Sequence, residues 1–80
     1  MYPTSLLIRP ASLLDDAAVA RLSALDSHAP LRGTVLLADV NGESVAALDL
    51  DTGEQVADPF RPTAHVVEAL RTYARRTSTA

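Results

Sequence analysis

Cysteine is absent from the chain, so no disulfide, thiolate metal site or thiol nucleophile is available to it. Lysine is absent too: all seven basic residues are arginine, against ten acidic residues, for a formal net charge of −3. A mildly acidic chain has no general electrostatic pull toward nucleic acid or an anionic membrane, and neither is expected as a partner. Long apolar runs are also missing. Leu6, Leu7 and Ile8 follow Met-Tyr-Pro-Thr-Ser, a run far too short for a signal segment or a membrane span and with no basic residue before it, so a cytoplasmic location is expected. Isoleucine, asparagine, phenylalanine and methionine each occur once, while alanine and leucine are abundant. That bias reads as a GC-rich bacterial genome rather than a functional choice.

What remains is ordinary globular material. Apolar residues make up 48% and charged residues 21% of the 80 positions, which sets disorder aside. Residues 1–80 form one domain, and a chain of this length buries only roughly 60–65% of its unfolded surface. A second copy could therefore matter for stability.

The punctuation of the chain predicts an α+β fold. Ser5 to Arg9 reads as a strand closed by Pro10, which lacks the N–H to extend a ladder. Ser12 opens a helix, with Asp15 completing a capping box and Asp16 suiting the positive end of the dipole. Ala18, Leu22 and Leu25 form its buried stripe, widened by Val19, with Arg21 and Ser23 off it. Asp26 to Gly33 is a loop. Thr34–Val40 and Glu43–Leu50 flank Asn41-Gly42, the signature of a type I′ hairpin. A two-residue turn sets Val40 against Glu43, Ala38 against Val45 and Leu36 against Ala47. One face then carries Leu36, Ala38, Val40, Val45 and Ala47. The other carries Val35, Leu37, Ala46, Leu48 and Leu50. Both are apolar, so one helix is needed on each side. Asp51-Thr52-Gly53 turns the chain into a short strand, Glu54–Ala57. Thr63 caps a last helix from Ala64 to Arg76, with a stripe of Val66, Leu70 and Tyr73 beside Val67 and Ala74. Residues 1–4 and 77–80 are expected to fray. The sum is strand-helix-strand-strand-strand-helix around a four-stranded antiparallel sheet.

That order, with Ile8-Arg9-Pro10-Ala11 leading into Asp15-Asp16-Ala17 and with the Asn41-Gly42 hairpin, resembles the front half of the GNAT-family N-acetyltransferases over roughly Leu7 to Ala57. The resemblance implies acetyl-CoA as the cofactor and N-acetyl transfer as the activity. The family holds the cofactor's diphosphate on a glycine-rich loop after the fourth strand, at a helix N-terminus. Here that stretch is Asp58-Pro59-Phe60-Arg61-Pro62-Thr63, without a glycine and with two prolines. Nothing matches the family's catalytic tyrosine, so no catalytic residue is assigned. The expectation is a truncated, non-catalytic GNAT-like domain that binds no cofactor and acts through protein contacts as a homodimer, joined through its sheet edge, particularly that of the fourth strand, or through its apolar faces. The alternative is an acyl-CoA-binding protein or acetyltransferase whose site a second chain completes, with Arg61 the candidate cofactor contact. A third reading is a module dedicated to one specific partner protein.

Four further groupings carry possible chemistry. Asp51-Thr52-Gly53 is the tripeptide of aspartic proteases, and also a common turn. Asp26-Ser27-His28 holds the residue types of a hydrolase triad, but neighbours in sequence rarely converge on one atom, and a helix ending is the plainer reading. His28 and His65 lie on different elements with no close second ligand, so no metal site is expected. Arg71, Arg75 and Arg76 could meet an anion or RNA, yet such a helix face is usually solvated, and the chain's acidity agrees with that.

Overall fold

The computed structural model describes residues 5–77. Strand β1 (Leu6–Pro10) leads through a single 3-10 turn (Leu13–Asp15) into helix α1 (Asp16–Leu25). The meander β2 (Val35–Val40), β3 (Glu43–Asp49) and β4 (Gln55–Ala57) follows, and then helix α2 (Ala64–Thr77). The four strands form one antiparallel sheet in the order β1-β2-β3-β4. The α+β class and the element order are those expected. Residues 1–4 and 78–80, for which fraying was expected, lie outside the described residues, while Thr77 closes α2.

The helices sit on opposite faces of the sheet. Val19 and Leu22 of α1 pack with Leu31 onto Val35, Leu37, Ala47 and Val56. Val66 and Leu70 of α2 pack onto Leu36, Ala38, Val45, Ala46 and Leu48. Each fully buried leucine stabilises by about 1.5–3 kcal/mol, so two thin cores share the work of one. Each sheet face is thus covered over its centre by one of the chain's own helices.

The hairpin departs from the expected register. Asn41 (φ 52°) and Gly42 (φ 84°) both have positive φ, as a type I′ turn demands, and Val40 does face Glu43. Asp39 then faces Ser44, but Ala38 faces Ala46 and Leu36 faces Leu48: Val45 is an extra residue, a β-bulge. A one-residue slip exchanges faces. Beyond the bulge Ala46, Leu48 and Leu50 therefore join Leu36 on the α2 side, and Ala47 joins Val35 on the α1 side.

Three smaller expectations also change. Pro10 is the last residue of β1, opposite Leu36, rather than a residue outside it. Ser23, placed off the stripe, is fully buried, four residues on from Val19, and its hydroxyl donates to the Val19 carbonyl at 2.8 Å, which removes the cost of burying it. Tyr73, placed in the core, is exposed, because Ala74 takes the inward position one turn after Leu70.

Candidate functional site

Arg9, Ser12, Asp15, Asp39 and Ser44 make a polar clamp. Ser12 and Asp15 form the expected capping box: Ser12 N–H donates to Asp15 Oδ2 at 2.8 Å, and Leu14 N–H donates to the Ser12 hydroxyl at 3.3 Å. Arg9 reaches Asp15 with two donors, at 2.8 and 2.9 Å, and Asp39 with its Nε at 3.0 Å. Ser44 donates to the other oxygen of Asp39 at 2.6 Å. One arginine thus joins β1, the 3-10 turn and β2, and Ser44 extends the network to β3. The Arg9 donors, followed by the Ser12 N–H, hold the Asp15 carboxyl far below the usual carboxylate range. Asp15 first and Asp39 second push the guanidinium up in turn.

A second acid is built into the far end of the hairpin. Asp49, only 2% exposed, accepts from the N–H groups of Asp51 at 2.8 Å, Gly33 at 3.1 Å and Thr52 at 3.3 Å. Burial alone would push its carboxyl up, but these N–H donors, with that of Arg32, outweigh burial and hold it lowered. Gly33 is required there, since a Cβ would fall on the carboxylates of Asp49 and Asp51. Asp51 accepts from Thr34 N–H at 3.0 Å. Both carboxylates are thus hydrogen-bonded to backbone in a double turn, and Gly53 (φ 78°) supplies the positive φ expected of a turn glycine.

Asp26-Ser27-His28 is the end of α1. Ser27 N–H donates to Ala24 O at 3.1 Å and His28 N–H to Ser23 O at 2.8 Å, a Schellman ending with Ser27 in the left-handed position at φ 51°. The Asp26 carboxylate reaches Ala57 N–H at 3.3 Å. His28 Nδ1 lies 2.6 Å from Ala29 O, and its Nε2 lies 3.8 Å from Glu54. His65 is on α2, and no group of three metal-ligating side chains occurs among the described residues. Arg71 donates to Gln55 at 2.9 Å, and Arg75 to Thr72 at 3.3 Å.

Arg61 lines a cavity of about 270 Å³ with Val40, Asn41, Pro62, Thr63 and His65, at the start of α2. Its guanidinium donates to Glu43 at 2.7 Å. The backbone before it is already committed. Phe60 N–H donates to Asp58 Oδ1 at 2.8 Å and Arg61 N–H to Asp58 O at 3.3 Å, while Pro59 and Pro62 have no N–H. From residue 59 to residue 62, every backbone donor is absent or used within the turn.

The feature that pattern reading missed is the outer edge of β1. Asn41 N–H donates to Ser5 O and Ala11 N–H to Val35 O, each at 2.8 Å. With the register between them, Leu7 and Arg9 turn their backbone groups toward β2, and Leu6 and Ile8 turn theirs outward. Pro10 is an outward position as well, which is why its missing N–H leaves the β1–β2 ladder intact. No strand among the described residues lies along this outer edge. Leu6 and Leu7 are 40% and 54% exposed, and Leu13 and Leu14, just beyond the strand, are 87% and 95% exposed. The six exposed large apolar residues described include these four leucines within nine positions. The run Leu-Leu-Ile-Arg-Pro was the available signal, but its apolar character reads equally well as core. No helix among the described residues is long and apolar enough to cross a membrane.

Comparison of the chain with protein-family models, with curated proteins and with solved structures finds no match.

Proposed function

We propose that this chain is a non-catalytic protein-contact domain with the form of a GNAT-like front half, working as a homodimer. The observation that carries the reading is the concentration of exposed leucine at Leu6, Leu7, Leu13 and Leu14, near a strand edge that pairs with no strand among the described residues. Exposed leucines crowded into one short segment at a sheet edge suit an interaction surface, and a twofold dimer is the simplest closed assembly. The turn from Asp58 to Pro62 supports the non-catalytic part, because its donors are absent or consumed before a diphosphate could use them. The abundance of alanine and leucine supports a bacterial source, the shortness of the run Leu6-Leu7-Ile8 supports a cytoplasmic setting, and the net negative charge supports the absence of a nucleic-acid or anionic-membrane partner. Light scattering at high micromolar concentration tests the reading: a dimer is expected, and a monomer would remove the homodimer.

A second reading is favoured by the cavity at Arg61. Its volume of about 270 Å³ is just below the usual range for small-molecule sites, so it could take one part of an acyl-CoA, with a second chain completing the site. Thermal unfolding with acetyl-CoA separates the two. Ligand at a hundredfold excess over its dissociation constant stabilises by about 2.7 kcal/mol, and no shift at millimolar ligand eliminates this reading.

A further inference from the structure

We infer that β1 pairs antiparallel with β1 of a second copy, centred on Leu7, to make one continuous eight-stranded sheet. The inference rests on the homodimer proposed above and names its interface. The outward groups of β1 are the N–H and C=O of Leu6, the N–H and C=O of Ile8, and the C=O of Pro10. Antiparallel pairing with Leu7 opposite Leu7 sets Leu6 against Ile8 of the second copy, and Ile8 against its Leu6. Each N–H of these residues then meets a C=O and each C=O an N–H, giving four backbone hydrogen bonds.

Neighbouring registers do less well. Setting Ile8 opposite Ile8 also makes four backbone bonds, since the Leu6 N–H then meets the Pro10 carbonyl, but it leaves the Leu6 carbonyl facing Pro10, which has no N–H to give, and puts Leu7 beside Arg9. Setting Leu6 opposite Leu6 moves Ile8 beyond the end of the described strand. The side-chain pairs, leucine on leucine rather than leucine on arginine, therefore favour the Leu7-centred register. The faces agree with this pairing as well. Leu6 and Ile8 lie on the α2 side with Ala38 and Val40, so Leu6 meets Ile8 of the second copy there. Leu7 lies on the α1 side and meets Leu7, covering the more exposed of the two leucines of β1. Arg9 raises no charge repulsion, since Asp15 and Asp39 already hold it. At the opposite edge of the sheet, the outward N–H of Ala57 is taken by Asp26, which directs pairing to β1.

The chain has no cysteine, so a single introduced thiol reports the register. Residues directly opposite at a non-hydrogen-bonded antiparallel position have Cα atoms about 4.5 Å apart, within disulfide reach. Leu7→Cys is at that position, whereas two copies of Leu6→Cys lie two residues out of line. Under mild oxidation Leu7→Cys should form a covalent dimer on the order of tenfold faster than Leu6→Cys. Both substitutions are at exposed positions, and circular dichroism melts confirm that each variant is folded. Leu6→Pro, which deletes an outward donor while leaving the β1–β2 ladder intact, should raise the dimer dissociation constant on the order of tenfold. A dimer by light scattering in which the two cysteine variants crosslink at equal rates overturns this interface and leaves the homodimer standing. A monomer at high micromolar concentration removes both.

Discussion

Along β4, the outward N–H of Ala57 is taken by the Asp26 carboxylate, and the Gln55 side chain is held by Arg71. Along β1, the outward groups of Leu6 and Ile8 pair with no described strand, and the adjoining side chains are exposed leucines. The same sheet thus has one edge shortened to three residues and capped at Ala57 by a carboxylate, and another left five residues long and rich in leucine. Proteins blunt edges that must not pair, by shortening them and placing charge on them. The difference teaches that an unpaired edge is informative only beside one that has been closed.

The largest expected effect tests how β1 is held. Arg9→Ala leaves the buried Asp39 without its guanidinium partner and cuts the tie from the strand to the 3-10 turn. Because Arg9 is partly solvated, the expected loss is about 2 kcal/mol after allowance for screening, read by urea denaturation. Hydrogen exchange should show the Leu7 and Arg9 amides losing protection before the β3–β4 amides do. Equal loss at both edges would erase the contrast.

Acid should loosen the β1 clamp and the base of the hairpin together. The carboxyls of Asp15 and Asp49 are lowered in the folded state. Their contribution is fully present above the unfolded carboxylate value of about 3.9, and it is lost as pH falls through their lower folded values. The urea midpoint should therefore be insensitive to these two groups above about pH 5 and fall below about pH 4. Asp15→Asn and Asp49→Asn should each flatten that fall, because each removes one lowered group. A variant as steep as the parent would show that its carboxylate does not report on folding.

Much of this architecture was legible in the chain, for physical reasons that differ by element. Asn41-Gly42 named its turn because few other pairs tolerate two positive φ values. Ser12 and Asp15 named the capping box because reciprocal capping needs those side chains at that spacing. The bulge at Val45 left no mark, since Glu-Ser-Val-Ala-Ala-Leu satisfies an apolar face in either register. The burial of Ser23 and of the loop residue Leu31 was equally hidden, because both depend on how α1 lies against the sheet. The β1 edge was hidden for a related reason: an apolar strand says that it wants cover, not whether its own chain supplies it.

Opening the closed edge is the next test in size. Asp26→Ala removes the cap from Ala57, an exposed bond at 3.3 Å, so the loss should be only about 0.5–1 kcal/mol. Assembly should change more than stability. A chain with two open edges can add copies at both, so light scattering at high concentration should show species larger than a dimer. An unchanged assembly would mean that the shortness of β4, rather than its charge, keeps that edge closed.

The smallest effect concerns how Asp26 is aimed. The chain leaves α1 through Ser27 at φ 51°, a left-handed conformation that a side chain with a Cβ disfavours by about 1 kcal/mol or more. Ser27→Gly removes that strain and keeps both backbone bonds of the helix ending. Part of the gain is returned through the extra freedom of glycine in the unfolded chain, so the expected net stabilisation is about 0.5 kcal/mol. Because the ending keeps its geometry, Asp26 should still reach Ala57, and the dimer should neither grow nor dissociate. A stabilised variant that forms larger species would show that Ser27 does more than end the helix: its strained backbone would then be part of what holds the β4 edge shut.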